Sequence, residues 1–131
     1  MFHHLNNPIY AVLIDSTIND YLINHCGYSV ASSEQIGLVA NTYCDYFGSV
    51  AYPGKLDVGL RVVRIGKSSV MYECGIFEEG KEHVKAVGGL VQIWVRNDTS
   101  KPAAEGIGKS IRAGLEKLAN TTGAQQDKAK L

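Results

Sequence analysis

Apolar and polar positions change rhythm near residue 35. Over residues 8–26 the spacing is helical: Ile9, Val12, Leu13, Tyr21 and Leu22 fall largely on one face, and Ile14, Ile18 and Ile23 widen it. Asp15, Ser16, Asn19 and Asp20 leave only a narrow polar stripe, which predicts a helix enclosed by other elements. Asn7 suits the N-cap, Pro8 the first helical position and Gly27 the C-terminal stop.

After a polar connection over residues 29–35 the period becomes two. Strands are predicted over 36–47, 56–65, 69–78 and 84–96, all rich in Val, Ile, Tyr and Thr. Leu56, Val58, Leu60 and Val62 alternate with Asp57 and Arg61; Val70, Tyr72, Cys74 and Ile76 alternate with Met71, Glu73 and Phe77. In the last strand Val87, Val91, Ile93 and Val95 alternate with Gln92 and Trp94. Turn sequences at 52–55, 66–68 and 78–81 predict antiparallel hairpins between consecutive strands, a meander. Gly88-Gly89, inside a strand, marks a bulge or a close approach of the helix. A second helix is expected over 104–119 from Ile107, Ile111, Leu115 and Leu118, although Gly106, Gly108 and Gly114 weaken it. The fold class is α+β, with an antiparallel sheet wrapped around one long helix. Residues 1–119 form one domain and 120–131 a polar tail expected to be disordered.

Composition narrows the function classes. The chain has 131 residues, 45% hydrophobic and 20% charged, ordinary values for one globular domain. Thirteen basic residues balance thirteen acidic ones, which argues against a nucleic-acid partner. No apolar run is long enough to span a bilayer, and the first seven residues lack the features of a secretory signal, so the cytoplasm is the expected compartment. A mitochondrial location stays open if a leader precedes this sequence. Cys26, Cys44 and Cys74 read as thiols in a reducing environment, and the His and Cys spacings fit no metal site. No cofactor is expected.

Four stretches, in order, resemble the hotdog-fold thioesterases of the 4-hydroxybenzoyl-CoA thioesterase type. His4-Leu5-Asn6-Asn7 followed by Tyr10 is similar to the family signature Asp-x-x-Gly-His-Val-Asn-Asn at the start of the central helix. Asp45-Tyr46-Phe47 through Pro53-Gly54 is similar to the passage from the second to the third strand. Arg61 to Val70 matches the strand–turn–strand around an arginine, a glycine and a serine pair, and Trp94-Val95 lies late in the last strand. Two departures accompany the match. The signature Asp would stand one position before Met1, and the signature Gly is His3. The chain is thus either a truncated form of an enzyme or a natural form without that carboxylate.

The resemblance implies hydrolysis of an acyl-CoA to the free acid and CoA. Backbone N–H groups at the N-terminus of the central helix would polarise the thioester carbonyl. His4, Asn6 and Asn7 are the candidate catalytic residues. A general base in place of the Asp would be His4, Asp15 or Asp45, each of which also has an ordinary structural reading: packing or capping, a solvated carboxylate, a cross-strand pair. Tyr10 would border the acyl chain together with Ile9 and Leu13. Arg64, Lys67, Ser68 and Ser69 would meet the CoA phosphates, although such a composition also makes a plain solvated turn. A homodimer or homotetramer is implied, with the site built from both subunits. The alternative is a non-catalytic acyl-CoA-binding or dimerisation module on the same fold.

Overall fold

The structure, a computed structural model, describes residues 7–29, 33–48 and 55–120. Helix α1 (Asn7–His25) is followed by strands β1 (Gln35–Tyr46), β2 (Leu56–Ile65), β3 (Ser69–Glu78) and β4 (Ala86–Arg96), then by helix α2 (Lys109–Asn120). The four strands form one antiparallel sheet in the order β1-β4-β3-β2. Among the described residues no helix is long and apolar enough to cross a membrane.

Alternation decides which sheet face α1 covers. Val62 on β2, Val70, Tyr72, Cys74 and Ile76 on β3, and Ala86, Leu90 and Trp94 on β4 are buried in one cluster with Tyr10, Ile14, Ile18 and Leu22 of α1. The helical face that packs is therefore the row at spacing four from Tyr10. Ile9, Val12 and Ile23, expected inside, are exposed. A helix apolar around most of its circumference offers more than one face to bury, so its composition could not identify the face that the sheet takes. On β4 the face turned to α1 carries Gln92 and Trp94; Gln92 is buried and accepts from the Tyr72 hydroxyl at 2.7 Å.

The meander holds for β2, β3 and β4 but not for β1. The expected β1–β2 hairpin does not form, because these strands are the two opposite edges of the sheet and β1 pairs with β4. Residues 52–54 of that expected turn lie outside the described residues. A short link between strands fits a hairpin, but pairing with β4 seats β1 beside α1, where Tyr10 meets Tyr46 ring to ring at 4.9 Å.

The second helix begins later than its apolar spacing implies. Gly106 has φ +82°, in the left-handed region, and the Ile107 N–H donates to the Lys67 carbonyl at 2.9 Å. Residues 103–108 thus dock on the β2–β3 turn before the chain turns helical. Gln35 fixes the same loop, donating to the Gly106 carbonyl at 2.8 Å and accepting from the Gly108 N–H at 2.9 Å. The expected tail beyond residue 120 lies outside the described residues.

Candidate active site

The sequence-predicted site residues divide between two ends of the molecule. His4 and Asn6 lie outside the described residues, and Asn7 is the first residue of α1. The first turn of α1 holds no acidic residue, so no side chain of that turn offsets the positive end of the helix dipole. Its leading N–H groups have no intrahelical acceptors. Tyr10, one turn further, is 2% exposed. Burial, followed by the neighbouring Cys44 and Glu78, pushes its hydroxyl above the usual tyrosine range.

Beside this half of α1 lies a cleft of about 360 Å³ lined by Ala11, Ile14, Thr42, Tyr43, Cys44, Tyr46, Gly89 and Leu90. Its lining helix residues are Ala11 and Ile14; Ile9 and Leu13 are not among the lining residues. The cleft runs along β1, an edge strand of the sheet, between Ala11 and Ile14 of α1 and Gly89 and Leu90 of β4. Ile14 packs directly onto Gly88, which realises the close helix approach expected there.

Of the other candidate bases, Asp15 is exposed on α1 one turn beyond Ala11 and accepts from Asn19 at 3.2 Å. Asp45 is exposed on β1 between Cys44 and Tyr46, which line the cleft, and is not itself among the lining residues. Cys44 is no activated nucleophile: burial raises its thiol, as it does Cys26, pushed up to about 11, and Cys74, pushed up to about 12. A nucleophilic thiol requires the opposite shift.

The expected phosphate-binding residues stand at the other end of the sheet. Arg64 and Lys67 are exposed, Ser68 and Ser69 half-buried. A β-bulge between Val62 and Arg64 lets both Val62 and Ile65 face the core while Arg64 faces away. The turn backbone is held from several sides: the Gly66 N–H donates to the Ser69 carbonyl at 2.7 Å and the Trp94 N–H to the Ser68 carbonyl at 2.7 Å. Arg112 of α2 donates through Nη2 to the Gly66 carbonyl at 2.6 Å. Arg112 is not among the residues the sequence pattern singles out; its signal there is a cation beside Ile111 on the first turn of a short helix.

Within one chain these two groups do not meet. At about 1.5 Å per residue, the 19-residue α1 spans roughly 28 Å. Tyr46 and Glu78 lie by its N-terminal half, whereas Tyr28, which follows its C-terminal end, stacks edge-on against Trp94 at 5.2 Å.

This helix-over-sheet architecture has relatives. The family model of the thioesterase superfamily (4HBT) matches residues 2–85, well over half of the chain. The chain belongs to the thioesterase superfamily. Thioester hydrolysis is thus its general chemistry, and its fold is the hotdog fold that the sequence implied. The PA5185 protein of Pseudomonas aeruginosa strain PAO1 is 39% identical, with a TM-score of 0.86 over 91% of this chain and 82% of that one. The DHNA-CoA thioesterase of Staphylococcus aureus shares the fold at 22% identity, with a TM-score of 0.77 over 94% of this chain and 84% of that one. The SAV2348 protein of Staphylococcus aureus, solved in complex with CoA, shares it at 10% identity, with a TM-score of 0.80 over 92% and 75%. No curated protein sequence matches the chain.

Proposed function

We propose that this thioesterase acts on acyl-CoA thioesters. The observation that carries the reading is the cleft at the N-terminal half of α1, beside a first turn with no acidic residue of its own. A thioester carbonyl placed at that helix end would have its oxygen facing backbone donors and the positive end of the dipole. Water adds to the carbonyl carbon, the C–S bond breaks, and the free acid and the CoA thiol leave. His4, Asn6 and Asn7 are assigned to the helix entry, where they orient the thioester and the attacking water. His4 and Asp15 are the two groups proposed as general base. Tyr10 supports the acyl side of the cleft through its contact with Tyr46, and Arg64, Lys67, Ser68 and Ser69 take the CoA phosphates.

The separation of the two groups in one chain supports a two-fold assembly. β1 is an open edge with Leu38, Val39 and Tyr43 exposed, and Val12 on the neighbouring α1 is 61% exposed. Antiparallel pairing of β1 with its copy would set the α1 N-terminus of one protomer toward the β2–β3 turn end of its partner.

The test is thiol release from short, long and aromatic acyl-CoAs by the chain and by its His4→Ala and Asp15→Asn variants. A base lost at either position lowers kcat by about two orders of magnitude or more. Full activity in both variants would remove both from the mechanism.

A further inference from the structure

We propose that Arg112 is part of the phosphate-recognition site at the β2–β3 turn; this rests on the reading above, in which that turn receives the CoA phosphates. Arg112 stands in the first turn of α2 and is half-buried. One of its guanidinium N–H groups is used on the Gly66 carbonyl, which aims the planar head at the turn that carries Arg64, Lys67, Ser68 and Ser69. The guanidinium has five donors in a fixed fork, so it can hold a backbone carbonyl with one and present others to a phosphate oxygen.

The charge balance favours an anion here. Among the described residues the ion pairs are Arg61 with Glu73, Lys85 with Glu78 and Arg96 with Asp98. None involves Arg64, Lys67 or Arg112. The first turn of α2 holds no acidic residue and opens with Lys109, so cations crowd the helix end that normally attracts carboxylates. Among the described residues the half-buried Arg112 guanidinium has a neutral carbonyl as its hydrogen-bond partner, and a dianionic phosphate would complete that environment. The loop before α2 is locked to the same turn: Ile107 binds the Lys67 carbonyl, and a Cβ on Gly106 would stand 2.6 Å from that oxygen. The backbone that carries the cations of the β2–β3 turn is therefore held against the loop preceding α2 before any ligand arrives.

The experiment measures CoA binding calorimetrically across a salt series for the full chain, Arg112→Gln, Arg112→Lys and Lys67→Ala, with thermal melting alongside. Gln keeps a donor for the Gly66 carbonyl and removes the charge; Lys keeps the charge. The expected result is about tenfold weaker binding for Arg112→Gln at low salt, shrinking as salt rises, with Arg112→Lys recovering most of it. An Arg112→Gln affinity equal to that of the unaltered chain overturns the proposal. So does a salt-independent loss that Arg112→Lys shares, the mark of a brace alone. If Lys67→Ala weakens CoA in the salt-dependent way and Arg112→Gln does not, only the assignment of Arg112 fails. If neither variant does, or the unaltered chain does not bind CoA, the reading of the turn fails with it.

Discussion

Tyr43 donates its hydroxyl to Glu73 Oε2 at 3.1 Å across an intervening strand. It reaches over Gly89 of β4, which pairs with Tyr43 on one side and Glu73 on the other; Arg61 of β2 pairs with Glu73 in turn. Arg61, Glu73, Gly89 and Tyr43 thus form a single rung across all four strands on the face away from α1. Arg61 Nε donates to Glu73 Oε1 at 2.7 Å, and its Nη2 engages the same oxygen. The glycine is required by this rung: a Cβ there would stand 2.5 Å from Tyr43 Cζ and 2.7 Å from its hydroxyl. Gly89→Ala should cost about 1–3 kcal/mol by displacing the ring, and Tyr43→Phe about 1 kcal/mol for the hydrogen bond alone. Combining Gly89→Ala with Tyr43→Ala should cost less than the sum of the single changes, because the second removes what the first collides with. Denaturant melts of the unaltered chain, Gly89→Ala, Tyr43→Ala and the double variant measure this; strict additivity contradicts the rung.

A second close approach joins the helices. Tyr21 donates to the Gly114 carbonyl at 2.6 Å and Ser110 to the Cys26 carbonyl at 2.8 Å. A Cβ at Gly114 would lie 2.5 Å from Cys26 Sγ, 2.9 Å from the His25 carbonyl oxygen and 3.0 Å from Cys26 Cα. Gly to Ala inside an isolated helix gains about 1 kcal/mol. Here the neighbours are largely backbone, so Gly114→Ala should instead lower the melting temperature, and thermal unfolding reads the sign directly.

Alkaline pH should weaken the fold through the buried Cys26 and Cys74 thiols and the Tyr43 phenol. Burial raises Cys26 from 9.0 to about 11 and Cys74 from 9.0 to about 12. Burial, then the hydrogen bond to Glu73, raises Tyr43 from 10.0 to about 12. In each case the folded state holds its proton more tightly than the unfolded one. Their stabilising contribution is complete below the unfolded values and is lost as pH rises, from about 9 to 12 for the thiols and 10 to 12 for Tyr43. Melting temperature should fall from about pH 9 upward, and the fall should be shallower in Cys26→Ala and in Tyr43→Phe.

How much of this was legible in the sequence depends on which interaction decides each feature. Strands β2 and β3 fall where alternation places them, because Leu56 to Val62 and Val70 to Ile76 obey a period that only a half-buried strand satisfies. The pairing of β1 was not legible. Its own residues are equally suited to β2 or β4, and the choice is made by α1 and by Gly88-Gly89. The buried row of α1 was hidden for a similar reason: Ile9 and Val12 are as apolar as Tyr10 and Ile14, and only the sheet distinguishes them. At the candidate site, the β2–β3 turn was visible as cations and hydroxyls in one short stretch. Arg112 was not, because its closeness to Gly66 is produced by chain separated from the turn by 46 positions.

The proposed two-fold assembly predicts that charge on its face splits it. Val12→Asp lies on the exposed side of α1, away from the Tyr10–Leu22 row, so the protomer core should be untouched. Sedimentation should show a dimer or larger species for the unaltered chain and a folded monomer for the variant. Equal oligomeric states would place the interface elsewhere.

The most direct measurement is simultaneous quantification of free thiol and free acid when the purified chain is mixed with a panel of acyl-CoAs. Saturable release of both in equal amounts from at least one acyl-CoA is the expected result, with CoA inhibiting as product. Tight binding of acyl-CoA with neither product formed would contradict it and leave a binding module on a thioesterase fold.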